Sequence, residues 1–423
     1  MTETKTNWAG NYTYSAARWH WPTTVEQVQE IVANCRKLRV VGSRHSFNGI
    51  ADSPDDMLSL EKFDPMVELD RERRTVTVNA GLRYGDLCRR LNGEGYALHN
   101  MASLPHISVA GACATGTHGS GDGNGNLATA VTALEFVQAD GEVVVLSRER
   151  NGEQFEGAVV ALGGLGVVTK LTLEVSPAFE MRQDVYENLP LAQLDEHFDD
   201  ITSSAYSVSL FTDWRGPRVN EVWLKSRVTD GALQTSAPEF FGAALATRPL
   251  HPIASLSAVS CTKQLGRRGP WHERLPHFRL DFTPSSGEEL QTEYLVPRQH
   301  TLAALHAVGQ LHEQVSPLLL ITEVRTVAAD NLWMSPCYRQ DSVAIHFTWI
   351  KDWPAVRQLL PKIEERLAPF RPRPHWGKLF TLAPAQVRSL YEKLPDFQQL
   401  LRDYDPRGKF RNAFLDTYIF GGD

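Results

Sequence analysis

Residues 103–121, SLPHISVAGACATGTHGSG, are the stretch on which the fold turns. Gly111, Gly116, Gly119 and Gly121 have no Cβ, so backbone amides there can come close to a ligand. Ser108, Thr115, Thr117 and Ser120 add hydroxyl groups. A loop of this composition can cradle a pyrophosphate without a lysine. It is not a P-loop, because the lysine is missing. It is not a GxGxxG fingerprint either, because the strand–turn–helix context is missing. On glycine content alone the same residues also suit a surface loop that needs turns. A second loop, Val41-Gly42-Ser43-Arg44-His45-Ser46-Phe47, follows the short strand pattern that starts at Leu38. Two such loops, each near a strand end, can bracket one diphosphate, and His45 lies inside one of them.

Working outward, Pro22 precedes a capping-box spacing, Thr23 and Glu26. Val25, Val28, Ile31, Val32 and Cys35 then recur at helical spacing. Thr75–Val78 reads as a strand, Tyr84–Leu91 as a helix, and Asp140-Gly141 as the turn of a hairpin. Phe155–Leu162 reads as a helix and Gly166–Val175 as a strand. Such a mixture predicts an α+β cofactor-binding domain. Near Ser176-Pro177 the texture changes to longer strands: Tyr206–Thr212, Val222–Lys225, Arg279–Thr283, Leu318–Thr326 and Ser342–Trp349, with a helix over His300–Leu311. These predict a second domain built on an antiparallel sheet. The Ala- and Pro-rich stretch Gly231–Ala254 reads as a mobile insertion.

The chain has 423 residues, which suggests about two or three domains. Its 43 Lys+Arg against 50 Asp+Glu leave a net charge of -7, without the basic footprint of a nucleic-acid binder. An apolar run of about 18 residues, as a membrane-spanning helix needs, is missing, and the N-terminus lacks a secretory pattern. Five scattered cysteines without a CxxC pair predict neither a disulfide framework nor a thiolate zinc site. The 14 histidines contain no HExxH, so no metal is expected. The expectation is a soluble, cytoplasmic protein.

Side chains alternate faces along a strand, so Glu323 and Arg325 share one face, and Ala344, His346 and Thr348 share another. The opposite faces, Thr322/Val324 and Val343/Ile345/Phe347, are mixed and apolar respectively. A polar row of this kind suits a ligand with many hydroxyls, or a solvent-facing sheet with a surface ion pair. On spacing alone Lys378 is a solvated lysine.

Gly42-Ser43-Arg44-His45-Ser46 resembles the G-x-x-H-S motif of the vanillyl-alcohol-oxidase-type flavoproteins. Asn7-Trp8-Ala9-Gly10-Asn11, the block 100–121, Glu323-Val-Arg325, His346-Phe-Thr348, Pro374-His-Trp-Gly-Lys378 and Asp405-Pro-Arg-Gly-Lys-Phe410 extend the resemblance over almost the whole chain, towards the bacterial alditol (xylitol/sorbitol) oxidases. The resemblance implies a PCMH-type FAD domain over residues 1–178, a substrate-binding cap over 179–385 with a large antiparallel sheet covered by helices, and a segment 386–423 that completes the FAD domain. It implies covalent FAD through His45 alone, since Leu104-Pro105-His106-Ile107 lacks the cysteine that forms a second bond in some relatives. Val41, Gly42, Ser43, Arg44, Ser46, Phe47, Ser103, Ser108, Gly111, Thr115, Gly116, Thr117, His118, Gly166 and Val168 would hold the cofactor. Ser103, Glu323, Arg325, Thr348 and Lys378 would bind substrate, with Arg325, Lys378 and His346 catalytic and His346 the proton acceptor. The implied reaction oxidises the terminal primary alcohol of an alditol to an aldose by hydride transfer, with O2 reduced to hydrogen peroxide by a monomeric enzyme. Small Ala102 beside Ser103 is compatible with oxygen access. The rival readings are a sugar-1,4-lactone oxidase or dehydrogenase on the same scaffold, and a non-catalytic polyol- or nucleotide-binding protein.

Overall fold

The first helix, Val25–Asn34, buries Val28 and Val32, and its cap lies one residue beyond the expected one. Thr24 Oγ1 accepts from the Gln27 amide, and Gln27 Oε1 accepts from the Thr23 amide. The N-cap is therefore Thr24, with Gln27 reaching back to Thr23, because Gln27 rather than Glu26 stands three residues after the residue that takes extended backbone. This computed structural model describes residues 5–228, 236–282 and 288–422.

The first lobe holds a parallel sheet of β1 (Arg18–His20), β2 (Leu38–Val40) and β3 (Asp56–Leu58), in the order β1-β3-β2. A second, antiparallel sheet is made of β4 (Val67–Asp70), β5 (Thr75–Asn79), β7 (Val131–Val137), β8 (Val143–Ser147) and β9 (Val167–Glu174), ordered β4-β5-β9-β7-β8. A small pair, β6 (Tyr96–Ala97) with β10 (Ser176–Pro177), closes the lobe. The helix expected at Phe155–Leu162 runs instead over Arg148–Val159 and breaks at Gly152. Ser147 caps it by accepting from the Arg150 amide, and Leu162 sits past its end at φ 54°.

The second lobe is one sheet of β11 (Glu180–Pro190), β12 (Ser207–Thr212), β13 (Arg218–Arg227), β14 (Glu239–Phe240), β15 (Ala243–Leu245), β17 (Glu289–Pro297), β18 (Leu319–Val327), β19 (Ser342–Ile350) and β20 (Arg373–Pro374). Its order is β14-β15-β11-β13-β12-β18-β19-β17-β20, and β16 (Gly269–Pro270) pairs with β11. β17 went unread in the sequence. Arg279–Thr283 is not a strand: its described residues turn, with the Phe282 amide donating to Arg279 O at 3.3 Å, while Leu280 covers Gly85. Thr283 lies outside the described residues. So do residues 231–235 of the expected insertion, whose remainder forms β14 and β15 on the sheet edge and buries Ala243 and Ala246.

The two faces of the large sheet divide its work. Leu210, Val324, Ile345, Phe347 and Leu290 join the main core with Leu305, Val308, Val356 and Ile363 of the helices Thr301–Gly309 and Trp353–Leu367. The other face turns towards the first lobe and carries the polar row. The chain's end returns to the first lobe. The Leu38 amide donates to Lys409 O at 3.0 Å, and Arg39 Nη1 donates to Gly163 O and Phe410 O at 2.8 Å each. Asn412 Nδ2 reaches the carbonyls of Gly49, Ile50 and Asp52. Among the described residues no helix is long and apolar enough to cross a membrane.

Candidate active site

Between the lobes lies a cavity of about 830 Å³. Its floor is the pair of glycine loops. A Cβ on Gly42 would lie 2.1 Å from Ser108 Oγ, and one on Gly111 would lie 2.7 Å from the same atom, so glycine at both positions lets the loops meet with Ser108 Oγ between them. Ser43 Oγ joins them, accepting from the Ser108 amide at 3.1 Å and lying 3.0 Å from His45 Nδ1. The loop around His45 is braced from outside. The Trp8 ring stacks on His45 with centroids 5.3 Å apart, and Asn7 Nδ2 and Asn11 Nδ2 donate to Ser46 O and Phe47 O. His45 Nε2 is buried without a hydrogen-bond partner, on a residue that lines the cavity. Burial lowers its pKa to about 4, which keeps the ring neutral. A glycine cradle beside a neutral imidazole with an unengaged nitrogen fits a flavin dinucleotide, including one attached through that ring.

The ceiling is the polar face of the sheet. Register places Phe211, Glu323, His346 and Glu293 side by side across β12, β18, β19 and β17. One step along, Ile321, Thr348 and Gln291 form the next row. Arg325 lies next to Glu323 on the same face, and its Nη1 donates to Ser103 Oγ at 3.3 Å, linking ceiling to floor. Lys378 arrives on a strap after β20. The His375 amide donates to Glu293 O and the Leu379 amide to Gln291 O. Asn48 Nδ2 donates to Trp376 O and Lys378 O, and the Phe47 amide to Gly377 O. The strap is thus pinned to β17 and to the first glycine loop at once, which turns Lys378 into the cavity and leaves its side chain 14% exposed rather than solvated.

Glu293 is the hub. Its Oε1 accepts from Arg325 Nη2 at 2.6 Å, and its Oε2 lies 2.9 Å from Lys378 Nζ. His118 Nε2 lies 3.4 Å from Oε1 without hydrogen-bond geometry. Burial pushes Glu293 up, but Lys378, His118 and Arg325 outweigh it and hold the carboxylate well below its usual range. Glu323 is likewise held down against burial, by Arg325 and His277, with His277 Nε2 at 2.6 Å. Burial lowers the Lys378 ammonium, partly offset by Glu293. His346 Nδ1 lies 2.5 Å from Lys378 Nζ and its Nε2 3.1 Å from Thr348 Oγ1. Burial and Lys378 lower His346 to about 4, so it is neutral and weakly basic. Two carboxylates and two cations balance around one end of the cavity.

Of the expected site residues, Val41 to Phe47, Ser103, Ser108, Gly111, Thr115, Thr117, His118, Glu323, Arg325, His346, Thr348 and Lys378 line this cavity. Gly116, Gly166 and Val168 do not. Gly116 faces Pro336, Gly166 lies against the Val137 carbonyl, and Val168 pairs with Phe136 within the first-lobe sheet. The sequence reading missed Glu293, His277 and Gln291. The first and last had a signal: Glu289/Gln291/Glu293 alternate with Leu290/Thr292/Tyr294, a period of two. His277 had none. Elsewhere, His20, Cys35 and Asp56 place ligand-type atoms within 4.8 Å of one another, but Arg18 takes both Asp56 oxygens at 2.8 Å each.

Known proteins similar to this chain are numerous. Residues 16–147 match the family described as FAD binding domain, and residues 287–418 match D-arabinono-1,4-lactone oxidase. An alditol oxidase of Streptomyces sp. is 51% identical over 100% of both chains. L-gulonolactone oxidase of Scyliorhinus torazame is 27% identical over 98% of both. In fold, a cholesterol oxidase from B. sterolicum superposes with a TM-score of 0.79 at 14% identity, over 98% of this chain and 96% of that one. Identity of this extent along the full length shows that the chain belongs to the vanillyl-alcohol-oxidase-type family of FAD-binding flavoproteins, together with the alditol oxidases.

Proposed function

We propose that the protein oxidises the terminal primary alcohol of alditols such as xylitol and sorbitol to the aldose, with O2 as final acceptor and hydrogen peroxide as product. One observation carries this reading: a buried, charge-balanced row of Arg325, Glu293, Lys378, His346 and Glu323 faces the glycine cradle across one cavity. When bound, FAD supplies the acceptor of the hydride. The chain's own groups do the rest. Arg325 and Lys378 hold the reacting oxygen and stabilise negative charge as it develops there. Glu293 fixes both cations so that they cost little reorganisation. His346, neutral and 2.5 Å from Lys378 Nζ, takes the hydroxyl proton. Glu323, Thr348 and Ser103 would bind hydroxyls and so orient the reacting carbon. Balanced charge in the pocket suits a neutral polyol better than a sugar acid.

His45 carries the flavin as a single covalent link, supported by its unengaged ring nitrogen and by the absence of a cysteine at 104–107. The sheets and the returning C-terminal contacts support a division into an FAD domain over 1–178 and 386–423 and a cap over 179–385. Five buried, unpaired cysteines support a reducing, cytoplasmic location, and the protein works as a monomer.

A second reading, a sugar-lactone oxidase, is favoured by the match at residues 287–418. Peroxide release from xylitol and from L-gulono-1,4-lactone in air separates them. The alditol should win by about tenfold or more in kcat/KM, the scale of discrimination between related substrates. A lactone preference, or colourless protein that releases no peroxide, overturns the proposal.

A further inference from the structure

Behind the substrate face lies a second buried cluster that the reaction outlined above does not use. Lys225, on β13, is 1% exposed. Its Nζ donates to Leu275 O at 2.5 Å and to Pro276 O at 3.1 Å, and lies 2.9 Å from His277 Nδ1. An ammonium has three donors and no acceptor, so these three partners satisfy it completely. Glu323, held as a carboxylate, can only accept, so the neutral ring's one proton stands on Nε2 and Nδ1 accepts from the lysine. That Nε2 lies 2.6 Å from Glu323 Oε1, so the imidazole donates to the carboxylate. Trp223 and Phe211 pack against the ring edge-on, with centroids 5.2 and 5.6 Å away. The backbone of the same residue faces the other lobe. The His277 and Phe278 amides both donate to Ser103 O, at 3.0 and 3.2 Å.

We propose that Lys225 and His277 are positioning residues that lock one His277 tautomer, aim Glu323 at the substrate's hydroxyls and register that carboxylate against the Ser103 loop. The substrate half of this inference rests on the alditol-oxidising function proposed above. In the chain Lys225–His277–Glu323–Arg325 the donors converge on one oxygen, Glu323 Oε1. The lysine donates to the ring, the ring to one carboxylate oxygen, and Arg325 Nε stands 3.5 Å from the same oxygen. Glu323 Oε2 is thereby left for a polyol. Burial lowers Lys225 to about 7 and, with Lys225, lowers His277 to about 4, so the ring stays neutral across the working range.

Two substitutions separate this role from a purely structural clip. In His277→Asn the amide oxygen stands near the Nδ1 position and keeps the lysine contact, but no donor reaches Glu323. In His277→Gln the amide nitrogen stands near the Nε2 position and still donates to Glu323. A positioning role gives a KM for xylitol raised about tenfold in His277→Asn, the worth of one charge-assisted hydrogen bond, with kcat changed little. His277→Gln should stay within about threefold of the parent. A structural clip gives the reverse order, with Asn the milder change. In parallel, ¹⁵N NMR of histidine-labelled holoenzyme should show one neutral Nε2-protonated ring that is missing from both variants. Its signal should shift in Lys225→Met. Equal KM values for Asn and Gln, or an imidazolium or Nδ1-protonated His277 signal, would overturn the proposal. An unmodified protein inactive on every alditol overturns the proposed function and the substrate half here, while the NMR signature decides the tautomer lock by itself.

Discussion

Arg325 sits where three demands meet. It donates to Glu293 at 2.6 Å, stands beside Glu323, and reaches Ser103 Oγ across the gap between the lobes. Arg325→Ala would leave Glu293 with Lys378 as its remaining close cation and Glu323 with His277 alone. Breaking a buried charge pair costs about 3–5 kcal/mol. With that loss falling on the reacting oxygen's binding site, kcat/KM for xylitol should drop by about two to four orders of magnitude, while the visible flavin spectrum persists. Near-normal turnover in stopped-flow or peroxide assays would refute the placement. His45 makes a separate case, because its role concerns attachment rather than turnover. His45→Ala should lose the fluorescent flavin band on a denaturing gel, although the cradle formed by Gly42, Gly111 and Ser108 still allows FAD to bind reversibly. Flavin that stays with the denatured variant would disprove the link.

At the scale of elements, the site depends on pieces brought close by backbone rather than by side-chain packing. The two glycine loops touch because Gly42 and Gly111 carry no Cβ. Gly42→Ala puts a methyl group 2.1 Å from Ser108 Oγ and 3.2 Å from its Cβ, so Ser108 must turn away and the loops give slightly, at a cost of about 1–3 kcal/mol. FAD content, read as the ratio of visible to protein absorbance, should fall while the cap sheet keeps its fold. Unchanged FAD content would show that the loops have slack. The sequence made this cradle legible only through the pair of loops, since one glycine and hydroxyl loop also suits a surface turn while two near strand ends, one holding His45, can bracket a diphosphate. It also made β18 and β19 legible by their period of two. β17 carries the same alternation in Glu289–Pro297, yet it stands beside loop residues and went unread, so Glu293 was lost with it. The position of Lys378 was beyond local reading. Its burial comes from the strap's bonds to β17 and to Asn48, which is 330 positions away. His277 lies in a loop whose direction is set by Lys225 and Ser103, contacts that no periodicity announces.

The whole molecule keeps an unusual number of ionisable groups in their neutral form. Burial is the leading cause that lowers His45, His99, His106, His251, His272, His277, His346 and His375. For each, the folded chain binds its proton less readily than the unfolded chain does. The stability they contribute is complete above about pH 6.5, the ordinary histidine value, and is lost as pH falls through their lowered folded values, about 4 for His45, His277 and His346. Four acids act in the opposite sense, because burial raises Glu221 to about 7, Asp330 to about 6, and Glu364 and Asp405 upward. Their contribution is complete below about pH 4 and is lost as pH rises through their raised values. Lys225, at about 7, changes charge above this window. Between about pH 6.5 and 4.5 the eight histidines outnumber the four acids, so the unfolded state binds more protons and acidification destabilises the fold. Each net proton is worth about 1.4 kcal/mol per pH unit at full effect. Attachment of flavin to His45 removes one histidine from the balance without reversing it. The melting temperature of the purified flavoprotein should therefore be lower at pH 5 than at pH 7, and a flat or inverted profile would mean that the raised acids dominate.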